Sequence, residues 1–438
     1  MKELKGKNLL LIGFTLFSMF FGAGNLIFPP FLGYQAGGAA WVAFAGFAVS
    51  AIGFPVLGVI AVARAGGLPA LARRVNPAFA AVFIMLVYLS IGPCLAIPRT
   101  ASTSFEMAIP PFVGANAPIM WLQLAYSVAF FGLALILALR PEKLTDRLGK
   151  ILCPALIILI VVIFVGCLIH PVGSYGPVSG VYTSNAAVQG FLGGYQTMDT
   201  IAALNFGAVI ALNIRARGVK DDGAVVRGTI KAGWIAGAIF LVVYAMLTHV
   251  GALAGGAFPG VENGAVTLTQ LVSALFGPVG NVILAAIFMI ACFNTCVGLI
   301  SSCSEYFSSV FPRFSYRAWA VFFAGISLLI SNAGLNMILK VSVPVLNAIY
   351  PVAIVLISLS FFQKWLKNLR SVYPMAILFT GVASVLYALV GISPVFAPVA
   401  EVLNLVPLAT MGLGWILPAL LGIALGIALS MLPAKAKN

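Results

Sequence analysis

At 438 residues with 62% hydrophobic and 8% charged side chains, the chain is far from a soluble domain, which carries roughly 45–50% apolar and about 25% charged residues. A mean hydropathy of +1.12 and recurring apolar runs of about 20 residues exclude a soluble fold and predict an all-α integral membrane protein set in a lipid bilayer. The net charge of +14 does not call for nucleic acid, because membrane topology accounts for it.

Apolar segments fall at 9–30, 41–63, 78–107, 119–139, 151–169, 189–213, 232–250, 279–309, 318–331, 341–362, 375–391 and 411–431, about twelve crossings. With Lys2, Lys5 and Lys7 on the cytoplasmic side, alternate loops hold Arg64, Arg73 and Arg74; Arg140, Lys143, Arg147 and Lys150; Arg215, Arg217, Lys220, Arg227 and Lys231; Arg313 and Arg317; Lys364, Lys367 and Arg370; then Lys435 and Lys437. Of 24 Lys and Arg residues, only Arg99 and Lys340 fall elsewhere. The positive-inside rule therefore predicts an even span count with both termini cytoplasmic. The first segment also has the basic start, apolar run and small residues of a signal peptide. Its removal would invert the charge bias, so it is expected to remain.

The first span contains Phe20-Phe21-Gly22-Ala23-Gly24-Asn25-Leu26-Ile27-Phe28-Pro29-Pro30, whose glycines, asparagine and proline pair should unwind a helix. Freed backbone groups cost several kcal/mol each in hydrocarbon unless they line a protein-buried or watery cavity, so the break predicts a site. After the second span, Gly66-Gly67-Leu68-Pro69 opens an inner loop with room for a short helix. The long third span is interrupted by Gly92-Pro93 and Pro98. It carries Arg99 and Glu106 on one helical face near its outer end. Charges in a span are functional candidates, here a gating pair for an outer vestibule or a structural pair at the interface. The loop 140–147 is amphipathic, and 172–188 reads as a charge-free outward loop.

The sixth span repeats the pattern of the first with Gly190-Phe191-Leu192-Gly193-Gly194-Tyr195-Gln196-Thr197-Met198-Asp199. Matched breaks in two halves point to the binding site of a secondary transporter. Five spans per half force opposite orientations, so the prediction is a five-plus-five inverted repeat within one transporter domain, 1–438, with discontinuous helices 1 and 6. Repeat one spans about 9–170, repeat two about 189–362, and two accessory helices about 375–431. Between spans seven and eight, 266–275 is expected to form a helix over the outer mouth. The eighth span is long, as the third is, and places Asn294 and Thr295 among apolar residues.

An unwound span offers N–H groups to an anion and carbonyls to a cation or ammonium, and a zwitterionic amino acid needs both. In span one, Phe21, Gly22, Ala23 and Gly24 supply N–H groups for a carboxylate, with Asn25 bridging. In span six, carbonyls around Gly193 to Gln196, those of Gly194, Tyr195 and Gln196 among them, receive an ammonium. Asp199 has two readings: a partner for ammonium, cation or proton, or the N-cap of the second half-helix with Thr197 nearby. Tyr195, Phe20, Phe21 and Phe206 are candidate walls of an apolar side-chain pocket. Asn294 and Thr295, with carbonyls near Ser18 and Phe21, form a candidate Na⁺ shell, against which stands the tendency of Ser and Thr to bond their own helix. The six cysteines and two histidines show no metal-site spacing, and Cys292, Cys296 and Cys303 share a helical packing face. No cofactor is expected beyond Na⁺ or H⁺ as coupling ion, and no obligatory protein partner.

At these residues the chain resembles the bacterial branched-chain amino acid:cation symporters. The matching stretches are the span-one run from Phe20 to Pro30, Ile91-Gly92-Pro93 with Ala96-Ile97-Pro98-Arg99-Thr100, Gly194-Tyr195 with Thr197-Met198-Asp199, and Val297-Gly298-Leu299. The resemblance implies a LeuT-like fold and uptake of leucine, isoleucine and valine coupled to Na⁺ or H⁺ across the bacterial inner membrane. More distantly, Gly22-x-Gly24-Asn25 and the span-eight pair are similar to Na⁺-coupled neurotransmitter-type transporters, whose span-one carbonyls and span-eight hydroxyls hold Na⁺. Here Asn294 stands where a hydroxyl residue is usual. The alternatives are a cation or small-solute channel, which lacks a filter-like motif here, and an exporter, sensor or symporter of another neutral amino acid. A membrane-embedded enzyme would need a catalytic constellation that this sequence does not show.

Overall fold

The computed structural model describes residues 6–114, 116–139, 144–392 and 394–432, and every regular element among them is helical. Lys2, Lys5, Arg140, Lys143, Lys435 and Lys437 lie outside the described residues, as do the side chains of Arg147, Lys150 and Cys153.

The first apolar segment is two helices, α1 (Lys7–Phe20) and α2 (Ala23–Ala36), separated by extended backbone at Phe21 (φ −72°, ψ 91°) and Gly22 (φ −126°, ψ −163°). Pro29 and Pro30 lie inside α2, so the helix breaks at the glycine-rich end of the motif and runs through the proline pair. Neighbouring helices make such prolines tolerable inside a membrane. The second segment is α3 (Ala40–Ala48), a π turn (Val49–Gly53) and α4 (Phe54–Ala65), followed by the short helix α5 (Leu68–Ala72).

The third segment also divides. Its first part, α6 (Pro77–Leu89), has Asn76 Oδ1 accepting from the Phe79 N–H at 2.7 Å. Helical geometry is lost at Gly92 (φ −96°, ψ −128°) and returns in α7 (Ala96–Ala108). Pro98 stands in the first turn of α7, where a missing N–H costs little. Helices α8 (Ile119–Ala138) and α9 (Leu144–Ile169) follow.

The sixth segment is α10 (Tyr182–Gly193), a 3₁₀ turn (Gly194–Thr197), left-handed Met198 (φ 66°) and α11 (Asp199–Ala216). Its two arms are bent by 48°. Helix α10 starts within the stretch read as loop; non-helical Asn185 (φ −151°, ψ 75°) interrupts its first turns, which hid the periodicity. Next come α12 (Asp222–Ala257) and α13 (Gly264–Val310), the latter turned at Gly277 (φ 64°). The arm of α13 before Gly277 contains the helix expected at 266–275, with Asn263 Oδ1 accepting from the Ala265 and Val266 N–H groups. The chain closes with α14 (Tyr316–Ser331), α15 (Leu335–Phe361), α16 (Gln363–Leu366), α17 (Val372–Ile392), α18 (Ala397–Leu403) and α19 (Ile416–Met431).

Among the described residues, 7 helical runs are long and apolar enough to cross a membrane, or up to 8 with the bent pair counted as one span. Some runs join neighbouring helices, Ala23–Ala65 among them. Shorter apolar helices, Lys7–Phe20, Pro154–Ile169, Tyr316–Ser331 and Ile416–Met431, accompany them.

Packing is reciprocal between the two broken segments. Helices α1 and α2 both lie along α12, while α10 and α11 lie along α3 and α4. Small residues set the closest approaches, as membrane helices require. A Cβ on Gly33 would stand 2.0 Å from the Thr248 carbonyl oxygen, and one on Gly251 1.8 Å from that of Pro30. Helix α7 packs along α13, which also meets α9, and α8 meets α14. Helices α17 and α19 pair beside α15.

Candidate functional site

The two breaks meet in the protein core. Asn25, in the first turn of α2, is 2% exposed, and its Oδ1 accepts from the Gly22 N–H at 3.0 Å. Its Nδ2 donates to Asp199 Oδ2 at 2.7 Å and to Tyr244 Oη at 2.5 Å. Tyr244 Oη in turn donates to Asp199 Oδ2 at 3.1 Å. A closed triad thus ties α2, α11 and α12 together. Each polar group in it has a partner, which is what allows the cluster to be buried. The capping alternative for Asp199 does not hold: the N-cap position is Met198, and the Asp199 carboxylate reaches across to Asn25 and Tyr244.

The second break is stitched to the π turn of the second segment. Ser50 Oγ donates to the Phe191 carbonyl at 2.5 Å, and Thr200 Oγ1 donates to the Ser50 carbonyl at 3.1 Å. Gly194 is needed there, since a Cβ on it would fall 2.0 Å from Ser50 Oγ. Inserted turns of this kind occur often at functional sites. The carbonyls expected to receive an ammonium already serve the turn and its neighbours: Gly194 accepts from Thr197 Oγ1 at 2.9 Å, Tyr195 from the Met198 N–H at 3.0 Å, and Gln196 from Arg99 Nη1 at 2.7 Å.

Arg99 is not part of an outer pair. The break at Gly92 makes α7 a helix of its own, and Arg99, in its first turn, is 3% exposed and faces both broken segments. Its guanidinium lies 5.3 Å from the Phe28 ring centroid and against Gly24. Glu106 is two turns further on and only partly buried, so the two are not brought together.

The aromatic candidates surround the breaks. Phe20 meets Phe206 edge-on at 5.1 Å, Phe21 stacks on Phe17 at 4.8 Å, and Tyr195 stacks on Tyr350 at 4.4 Å. Buried Ala23 opens α2 beside Gly24. Of the span-eight pair, Thr295 adjoins the first break: a Cβ on Gly22 would lie 3.2 Å from Thr295 Oγ1. Thr295 Oγ1 donates to its own helix at Ala291 (3.1 Å), and Asn294 Oδ1 is buried with no hydrogen-bond partner among the described residues. Ser18 is partly buried in the last turn of α1. Neither Tyr244 nor Ser50 stands out in the sequence. Each is a single polar residue in an apolar helix, a signal too common to single out a site.

A family described as branched-chain amino acid transport protein matches residues 5–432. The branched-chain amino acid permease BraB of Bacillus subtilis is 39% identical over 99% of this chain and 98% of its own length. The branched-chain amino acid transport system 2 carrier protein of Pseudomonas aeruginosa is 41% identical over 100% and 99%. The permease BrnQ of Escherichia coli is 37% identical over 97% and 96%. In three dimensions the chain is similar to Mhp1, a nucleobase-cation-symport-1 family transporter, with a TM-score of 0.59 at 13% identity over 96% of this chain and 91% of Mhp1. It is also similar to MhsT solved with L-phenylalanine, with a TM-score of 0.54 at 16% identity over 99% and 100%. These two likenesses show the fold, which is LeuT-like. With a family match that spans nearly its whole length and full-length relatives at these identities, the chain belongs to the branched-chain amino acid transport protein family of multi-pass membrane transporters.

Proposed function

We propose that the protein is a secondary active symporter that imports leucine, isoleucine and valine across the bacterial inner membrane with Na⁺ or H⁺, by alternating access. The observation that carries this reading is the junction of the two breaks through Asn25 and Asp199, at 2.7 Å. Broken helices meeting in the core are where substrate and ion sites form in such transporters. The printed names of the relatives supply the substrate class.

In this reading the substrate sits between the breaks. The N–H groups of Ala23 and Gly24 face its carboxylate, while those of Phe21 and Gly22, also expected there, are already given to the Phe17 carbonyl (2.9 Å) and to Asn25 Oδ1 (3.0 Å). Asp199 balances its ammonium, and Phe20, Phe206 and Tyr195 wall its side chain. Asn294 and Thr295 hold Na⁺ together with carbonyls near Ser18 and Phe21. Twelve crossings with both ends cytoplasmic follow from the distribution of Lys and Arg. The reciprocal packing of α1 and α2 on α12, and of α10 and α11 on α3 and α4, supports an inverted repeat. It also supports a bundle of those helices rocking against α6–α8, α13 and α14.

The test is uptake of labelled leucine into proteoliposomes under separate imposed Na⁺ and H⁺ gradients, with valine, alanine and lysine as competitors. Saturable accumulation driven by one gradient and blocked by valine is the expected result. Flux without saturation or coupling would make the protein a channel, and outward transport alone an exporter.

A further inference from the structure

Arg99 and Asp199 are the two formally charged side chains that are buried among the described residues, each 3% exposed. Their surroundings differ. Asp199 is met by two donors, Asn25 Nδ2 and Tyr244 Oη. Among the described residues no carboxylate lies within ion-pair distance of Arg99. Its Nη1 donates to the Gln196 carbonyl at 2.7 Å, and its Nε is buried without a hydrogen-bond partner. A guanidinium has five N–H donors and cannot shed its charge. Leaving such a cation buried and unpaired is costly.

The surroundings of the guanidinium are also positive. It lies against Gly24 in the first turn of α2, a helix of 14 residues, so closely that a Cβ there would stand 2.6 Å from Nη2. The opening N–H groups of α2 carry the positive end of its dipole. Two sources of positive potential therefore converge, with a donor to spare; Asp199 acts on the guanidinium through space but makes no ion-pair contact with it, and the Phe28 ring face is its other partner.

We infer that Arg99 binds the carboxylate of the transported substrate, together with the N-terminus of α2. The inference rests on the transporter reading and deepens it: Arg99 and Asp199 become the complementary ends of a site for a zwitterion. It also gives Gly24 a role, since a larger residue would displace the guanidinium.

The experiment compares leucine with leucinol, in which CH₂OH replaces the carboxylate, as ligands of the purified full-length protein, read by competition against labelled leucine and by thermal shift. The wild type should prefer leucine strongly. In Arg99→Gln the affinity for leucine should fall by about 10- to 100-fold, the range for a charge-assisted hydrogen bond, while that for leucinol holds, so the preference collapses. Arg99→Lys should keep part of the preference. Gly24→Ala, which retains the charge but moves it, should lower the preference as well and serves if Arg99→Gln does not fold. Equal losses for both ligands, or no loss for either, would overturn the assignment and leave Arg99 as a pin between α7 and the second break. A wild type that binds no branched-chain amino acid, yet binds another carboxylate solute in an Arg99-dependent way, would sink the substrate reading and leave the role of Arg99 standing.

Discussion

Asn25 and Asp199, 174 residues apart in the chain, are joined by a 2.7 Å hydrogen bond from Nδ2 to Oδ2. The direction of this bond is set locally. Asn25 Oδ1 is already committed to the Gly22 N–H, so only the amide nitrogen is free to face the carboxylate. One residue thereby closes the end of α2 and links it to the start of α11.

Replacing Asp199 by Asn should test that link. The bond from Asn25 to a carboxylate becomes one to a neutral amide, and the charge that would balance an ammonium disappears. Charged hydrogen bonds contribute about 1.5–3 kcal/mol and neutral ones about 0.5–1.5, so leucine affinity should drop at least about tenfold in protein that still elutes as a single species. An unchanged dissociation constant would remove Asp199 from the site.

Tyr244 completes the triad without carrying charge. Tyr244→Phe deletes one hydroxyl that accepts from Asn25 and donates to Asp199. The expected cost is about 1 kcal/mol, or roughly fivefold in affinity. Combined with Asp199→Asn it should cost less than the sum of the single changes, because both act on one network. Additive losses would mean that the hydroxyl works elsewhere.

The contact of α2 with α12 makes a prediction about stability alone. A Cβ on Gly251 would be 1.8 Å from the Pro30 carbonyl oxygen, backbone that cannot swing aside, whereas a Cβ on Gly298 meets nothing within 4 Å. Overpacking of a tight interface costs about 1–3 kcal/mol or more. Gly251→Ala should therefore lower the detergent melting temperature clearly and Gly298→Ala hardly at all. Equal melting temperatures would show that the two helices are free to separate.

What the sequence disclosed follows from how each residue stands out. Gly22, Gly24, Asn25 and the Gly193-Gly194 pair are conspicuous because glycines cluster there with a polar or charged residue close by within one span. Asp199 is conspicuous as a charge. Proline was a weaker guide: Pro29 and Pro30 sit inside α2, where neighbouring helices tolerate them. Gly92-Pro93 marks the interruption of the third span, but composition does not say that the chain turned there carries Arg99 against Gly24 and the Gln196 carbonyl. The π turn at Val49–Gly53 leaves no compositional mark beyond its final glycine. Tyr244 is one more aromatic in an apolar helix by sequence, and only its partners from two other helices, Asn25 and Asp199, distinguish it.

The coupling ion can be approached from Thr295. Its hydroxyl proton goes to Ala291 of its own helix, which leaves its lone pairs turned outward beside Gly22, while Asn294 Oδ1 is buried without a donor. A hydroxyl oxygen so placed next to an unwound backbone suits Na⁺, and an unpartnered amide oxygen one residue away on the same helix is a second candidate ligand. Under Na⁺ coupling, Thr295→Ala should raise the Na⁺ concentration for half-maximal leucine uptake by about tenfold, the effect of losing roughly 1.4 kcal/mol. Thr295→Ser should restore it, because the hydroxyl and not the methyl is the ligand, and Asn294→Ala should shift it in the same direction as Thr295→Ala. Maximal uptake at saturating Na⁺ should change much less than the Na⁺ requirement, since the site is weakened and not removed. If uptake instead follows a pH gradient with no Na⁺ requirement, and both alanine variants leave that dependence as it was, the two oxygens hold no cation. The charge that moves with the substrate would then have to be sought at Asp199.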